Sequence, residues 1–197
     1  FSVSTQNLVG LLSKPEQRAQ NYSNYSLMGS VVTFVGPLLA GFSIDHFGHT
    51  NSFLYLVALS SLPIALLLIG GARLPRGTGR APAEGGIRDM VSAPGMRRVL
   101  ATSSLLISGR DVFQFYLPVY GHSIGLSAST IGILLAMNSA AAFISRLVLT
   151  RLIGRLQEER ILAYAFFLGA LSFLLVPFFS GGVALALIAF LYGLGMG

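Results

Sequence analysis

Arg110 and Asp111 are the residues of this chain whose position most demands a chemical explanation. They are adjacent charges in a run from Val99 to Val119 that carries no other. Counted from Arg98 at about 1.5 Å per residue, Arg110 lies roughly 18 Å along a helix. That is close to the middle of a hydrocarbon layer about 30 Å thick. A charge at such depth costs at least about 2.5–3.5 kcal/mol, so the pair must face a cavity or the interior of a bundle. Neighbouring helix positions point about 100° apart, so each side chain is expected to find its partner on another helix. One reading has Arg110 attract an anionic group of a substrate or control the protonation of Asp111, with Asp111 carrying a proton. The other has the two charges only neutralise neighbours and fix packing. Gln114 lies one turn beyond Arg110 on the same face. Asn138 sits in the middle of the next uncharged run, between Met137 and Ser139. On facing helices these polar groups would line a substrate path, while an interhelical hydrogen bond would explain Asn138 equally well.

Other chemistries find no support in the residue types. Cysteine is absent, which excludes thiolate metal sites, cysteine nucleophiles and disulfides. No nucleophile elbow, zinc-protease or nucleotide-binding P-loop pattern occurs. Gly193-Leu-Gly195-Met-Gly197 has no strand before it, and its apolar context suits helix packing. His46, His49 and His122 lack carboxylate or thiolate partners at ligand spacing, so neither a metal nor any other cofactor is expected.

The elements that must hold Arg110 and Asp111 follow from where charge is missing. Of 197 residues, 53% are hydrophobic and 10% are charged, well below the roughly 25% charge of a soluble domain. Uncharged stretches of 26, 27 and 34 residues follow Arg18, Asp45 and Asp111, and the last 37 residues carry no formal charge. A helix crosses the hydrocarbon with about 20 apolar residues, and helices satisfy every backbone polar group in lipid. Spans are expected at Tyr25–Ile44, Ser52–Gly71, Val99–Val119, Ala128–Leu149 and Ile161–Phe179, with a sixth starting near Val183. Phe1 to Leu12 reads as the tail of a further span, and the chain as a piece of a larger all-α, polytopic transmembrane helical bundle.

The connecting segments alternate in charge. Lys14 and Arg18, then Arg73, Arg76, Arg80, Arg88, Arg97 and Arg98, then Arg146, Arg151, Arg155 and Arg160 fall on one side. Segments 45–51, 120–127 and 180–182 carry no lysine or arginine. Twelve of the thirteen basic residues thus share a side, which the positive-inside rule assigns to the cytoplasm. The net charge of +6 is explained without nucleic acid. An integral, multi-pass cell membrane protein with lipid as its surroundings is expected. Segment 73–98, rich in glycine, proline and arginine, reads as a central cytoplasmic loop between two helical groups, 1–72 and 99–197.

The first span contains Gly36-Pro37-Leu38-Leu39-Ala40-Gly41, where proline is expected to kink the helix and the small residues to admit a neighbour. It runs into a Gly41-x3-Asp45-x2-Gly48 turn, in which Asp45 and Gly48 would cap the helix and reverse the chain. These motifs resemble the major facilitator superfamily, whose fifth helix in antiporters carries a similar Gly-Pro core and whose loops repeat a Gly-x3-Asp-x2-Gly signature. The turn Arg146–Arg155, with Arg151, Gly154 and Arg155, resembles a second copy of that signature, with Arg151 at its acidic position and Leu147 at its leading glycine. The resemblance covers the whole chain and would run from the end of helix four into helix ten. It implies two six-helix bundles that rock about a central site, moving a small-molecule substrate by alternating access. Proton coupling is expected, with efflux favoured over uptake by the Gly-Pro motif. The rival readings are a non-transporting receptor or scaffold of the same architecture, and an integral membrane enzyme, for which no convergent catalytic set is visible.

Overall fold

The computed structural model describes residues 2–70, 94–152 and 158–196, and every regular element among them is helical. In chain order these are α1 (Ser2–Leu12), a 3₁₀ turn (Pro15–Gln17), α2 (Arg18–Gly70), α3 (Pro94–Ser123), α4 (Ala128–Leu152), α5 (Glu158–Leu175), a second 3₁₀ turn (Val176–Phe178) and α6 (Gly182–Met196). The all-α bundle expected from the charge gaps is the fold that forms. Most of segment 73–98, together with Gly154 and Arg155, lies outside the described residues.

Two expected spans fall within α2 and are separated by Gly48, which has φ 75° and ψ 167°. A residue with a Cβ is strained there, so this glycine lets the chain change direction between the two halves. The Ser43 hydroxyl donates to Ser52 Oγ across the bend at 2.9 Å, and the ring of Phe42 stacks on His46. Pro37 and Pro63 both lie inside the helix, yet Gly48 is the residue whose backbone leaves helical geometry. The change of direction thus falls at Gly48, where the Gly41-to-Gly48 turn is expected, and Pro37 keeps helical dihedral angles.

What Pro37 does instead follows from its missing N–H. The carbonyl four residues back, Thr33, loses its helical donor, and lipid offers no replacement. Ser139 of α4 supplies one: its hydroxyl donates to the Thr33 carbonyl at 3.0 Å and lies 3.1 Å from the Leu135 carbonyl of its own helix. Ser139→Ala is expected to destabilise the full-length protein by about 1 kcal/mol. Adding Pro37→Ala, which restores the N–H for Thr33, should recover that loss. Thermal unfolding of the two single variants and the double variant tests the coupling.

Around this contact α4 is the central element, packing against α2 on one side and α6 on the other, with α3 also touching it and α5 lying against α6. Small residues allow the close approaches. A Cβ on Gly41 would collide with the Ala128 carbonyl, one on Gly132 with the Pro37 carbonyl, and one on Gly193 with the Asn138 carbonyl. Between α3, α4 and α6 lies a core of Phe113, Leu117, Leu134, Leu185, Ile188 and Tyr192, joined by Val176. Phe113 stacks on Tyr192 with ring centroids 3.6 Å apart.

The outer faces are the reverse of a soluble protein's. Phe53, Leu68, Ile69, Leu105 and Phe115 are at least 70% exposed, and apolar exposure on this scale marks a surface made for lipid. Two stretches, Pro15–Ile69 and Ala128–Val148, are long and apolar enough to span a membrane. The first is long enough at 55 residues to cross twice, with Gly48 between the crossings.

Candidate functional site

The α2–α4 seam is closed at one end by polar contacts. There α3 finishes in Gly125 at φ 80°, with the Leu126 amide donating to the Gly121 carbonyl and the Gly125 amide to the His122 carbonyl. This left-handed stop satisfies the last carbonyls of α3 and lets α4 begin three residues later. The first amides of α4 then need acceptors. Ser127 accepts from the Thr130 amide at 3.2 Å. Asp45, arriving from α2, accepts from the amides of Ala128 at 3.0 Å and Ser129 at 2.7 Å. The carboxylate also meets the positive end of the helix dipole. Its pKa is lowered from the ordinary 3.8, chiefly by hydrogen bonds from the Ser129 hydroxyl and amide, with withdrawal from water opposing and Ala128 and Ser127 adding to the drop. The expectation that Asp45 caps its own turn is thereby corrected. Its acceptors are spent on a helix 83 residues away in sequence, because two carboxylate oxygens match two adjacent orphan amides.

From that end the seam stays tight through Gly41 and Ser129, then Pro37 and Gly132, to Thr33 and Ser139. Beyond it lies a narrow polar cleft with a cavity volume of about 30 Å³. Its wall combines Ser30 and Thr33 of α2, Arg110 and Gln114 of α3, Asn138, Ser139 and Arg146 of α4, and Tyr192 of α6. Four helices therefore contribute polar side chains to one hollow.

Three sequence candidates, Arg110, Gln114 and Asn138, meet in this cleft, whereas Asp111 is not among its lining residues. Both Arg110 and Asp111 are exposed, and their side chains leave the helix about 100° apart, so only Arg110 reaches the cleft wall. No ion pair or hydrogen bond reaches the Arg110 guanidinium among the described residues, so the expected partner on another helix is not found there. Gly36 has open space around it, and Gly41 and Asp45 act at the closed end. Arg151 falls in the last turn of α4. The described residues contain no group of His, Asp and Glu able to hold a metal.

Sequence reasoning missed Arg146, Tyr192, Ser30 and Thr33. Arg146 was absorbed into the basic turn, yet it lies within α4 and faces the cleft. Its spacing was the available signal, since seven residues from Ser139 is nearly two full turns. Tyr192, buried and donating its hydroxyl to the Gly109 carbonyl at 3.0 Å, had no signal beyond being a lone hydroxyl in an apolar run.

A polar cleft inside an apolar helical shell is shared by several kinds of membrane protein, and the comparison with known families decides between them. The family model of the Major Facilitator Superfamily matches residues 1–197. The chain belongs to the major facilitator superfamily. No curated protein and no solved structure matches it. Members of the major facilitator superfamily are membrane transporters that bind small molecules, and the chain's apolar helices agree with an integral membrane protein. Within the superfamily's frame, the cleft between α2 and α3, α4 and α6 is the candidate solute site.

Proposed function

We propose that the protein is a secondary active transporter that carries a small solute by alternating access, coupled to protons, with efflux the favoured direction. The supporting observation is the asymmetry of the α2–α4 seam. One end is locked by Asp45 on the amides of α4, and a polar cleft begins beyond Thr33 and Ser139. The locked end carries the segments without lysine or arginine, so the positive-inside rule puts it outside the cell membrane. In this reading the structure is closed outward, and the helical groups 1–72 and 99–197 rock about the seam, with 73–98 as their cytoplasmic tether.

Asp111 is the proposed proton carrier. It shares a helix turn with Arg110 but stands off the cleft wall, so proton and solute would load at separate positions on α3. The test is flux in proteoliposomes of the full-length protein. Asp111→Asn is expected to cut proton-driven transport at least tenfold while sparing solute exchange at equal pH. Unchanged gradient-driven flux would remove Asp111 from coupling, and absence of flux for any solute in the wild type would overturn the transport reading.

A further inference from the structure

The cleft has a charge character that the transport reading leaves unused. Two guanidinium groups, Arg110 and Arg146, line it, together with the amides of Gln114 and Asn138 and the hydroxyls of Ser30 and Thr33. No aspartate or glutamate is among its lining residues, and neither arginine has a hydrogen bond or ion pair among the described residues. The helix ladder separates the levels of the two arginines, because Arg146 lies eight residues, about 12 Å, from Asn138 along α4. Arg110 therefore shares its part of the wall with Asn138 and Tyr192, and Arg146, like Arg110 an exposed side chain, stands toward the end away from Asp45.

Resting on the transport reading, we propose that the solute is a small organic anion, a carboxylate or a phosphate ester, whose charged group docks on Arg110. Cations within a membrane-spanning bundle are tolerated when they serve a pathway, and an anionic solute would supply a counter-charge to Arg110. The guanidinium fork matches the paired oxygens of carboxylate and phosphate alike. Gln114 and Asn138 can each donate an amide N–H to the same group or its neighbour. Arg146 raises the local concentration of anions before they reach Arg110, as a like-signed cleft with low-dielectric walls does. Phe143 and Met196 also line the cleft. They offer apolar contact that an inorganic ion would leave unfilled, which is why the solute is organic.

The experiment uses the full-length protein in detergent and in proteoliposomes. It is offered a library of organic acids, phosphate esters, amines and uncharged sugars, and thermal stabilisation and flux are both read. The acids or the phosphate esters are expected to stabilise and be carried, and the arm that responds identifies the anionic group. Arg110→Gln should weaken apparent affinity for them roughly tenfold or more, with Arg110→Lys retaining part of it. Arg146→Gln should lower the uptake rate and flatten its dependence on ionic strength. Stabilisation and flux by amines or sugars alone would overturn the anion assignment and leave transport standing. No flux for any class would overturn both. An Arg110→Gln protein that unfolds is replaced in the test by Arg110→Lys, and unchanged anion affinity in a folded Arg110→Lys and Arg110→Gln pair would remove Arg110 from the site.

Discussion

Gly193→Leu is expected to prevent α6 from docking on α4, costing the folded full-length protein more than about 3 kcal/mol. Without a hydrophobic drive between helices in lipid, association depends on close packing and hydrogen bonds. At Gly193 the first atom beyond Cα would collide with the Asn138 carbonyl oxygen, with Asn138 Oδ1 at 2.8 Å and the Ala141 Cβ at 2.9 Å next in line. Two of these three belong to the α4 backbone or to the Cβ fixed on it, so no rotamer change makes room. Gly193→Ala should already be harmful, and leucine adds a branched side chain to the same wall. The polar cleft would fail with the packing, since Asn138 and Tyr192 both line it. Gly36→Ala is the matched control. Nothing lies within 4 Å of a Cβ there, so alanine should stabilise the helix by up to about 1 kcal/mol. Thermal unfolding of the purified protein separates the two cases, and equal behaviour of the two glycines would refute the packing argument.

The same contrast shows which features could be read without a structure. Charge gaps locate membrane helices because the penalty for charge in hydrocarbon acts on each segment alone. Thus the helix holding Arg110 was legible, whereas the expectation that both Arg110 and Asp111 turn toward a cavity was met by Arg110 alone, as a lining residue that is still exposed. The Gly36-to-Gly41 motif was legible as a packing surface but not glycine by glycine, for Gly41 meets α4 and Gly36 meets nothing. Asp45 was misassigned for a physical reason: local turn chemistry and a long-range helix cap use the same residue type, and only the fold says which amides are orphaned nearby. Arg146 was hidden by an overlapping signal. The asymmetry that orients loops groups it with Arg151 and Arg155, although its helical register aligns it with Ser139 and the cleft. Pro37 carried a legible consequence, a free Thr33 carbonyl, but the donor that meets it comes from 106 residues downstream.

Under the proposed alternating access, Asp45→Ala is expected to loosen the locked end and shift the population toward a state open at that end. The change removes both acceptors from the Ala128 and Ser129 amides. Loss of an N-cap alters a folding or docking equilibrium by roughly two- to thirtyfold, and the closed-to-open ratio should fall within that range. Asp45→Asn, which keeps one acceptor oxygen but no charge, should lie between. The sign of the pH effect follows from the lowered pKa. A carboxyl held below its ordinary 3.8 in the closed state binds protons less readily there than when released. Closure is therefore fully supported above the released pKa and is lost as pH falls through the lowered closed-state value. Across neutral and mildly acidic pH the lock should be insensitive to protons. Hydrogen exchange at the Ala128 and Ser129 amides, followed against pH and corrected for the intrinsic exchange rate, measures the closed fraction. A closed fraction that changes between about pH 5 and 8 and loses that change in Asp45→Asn would show the carboxyl titrating in the working range, and the separation of the lock from proton coupling at Asp111 would fall.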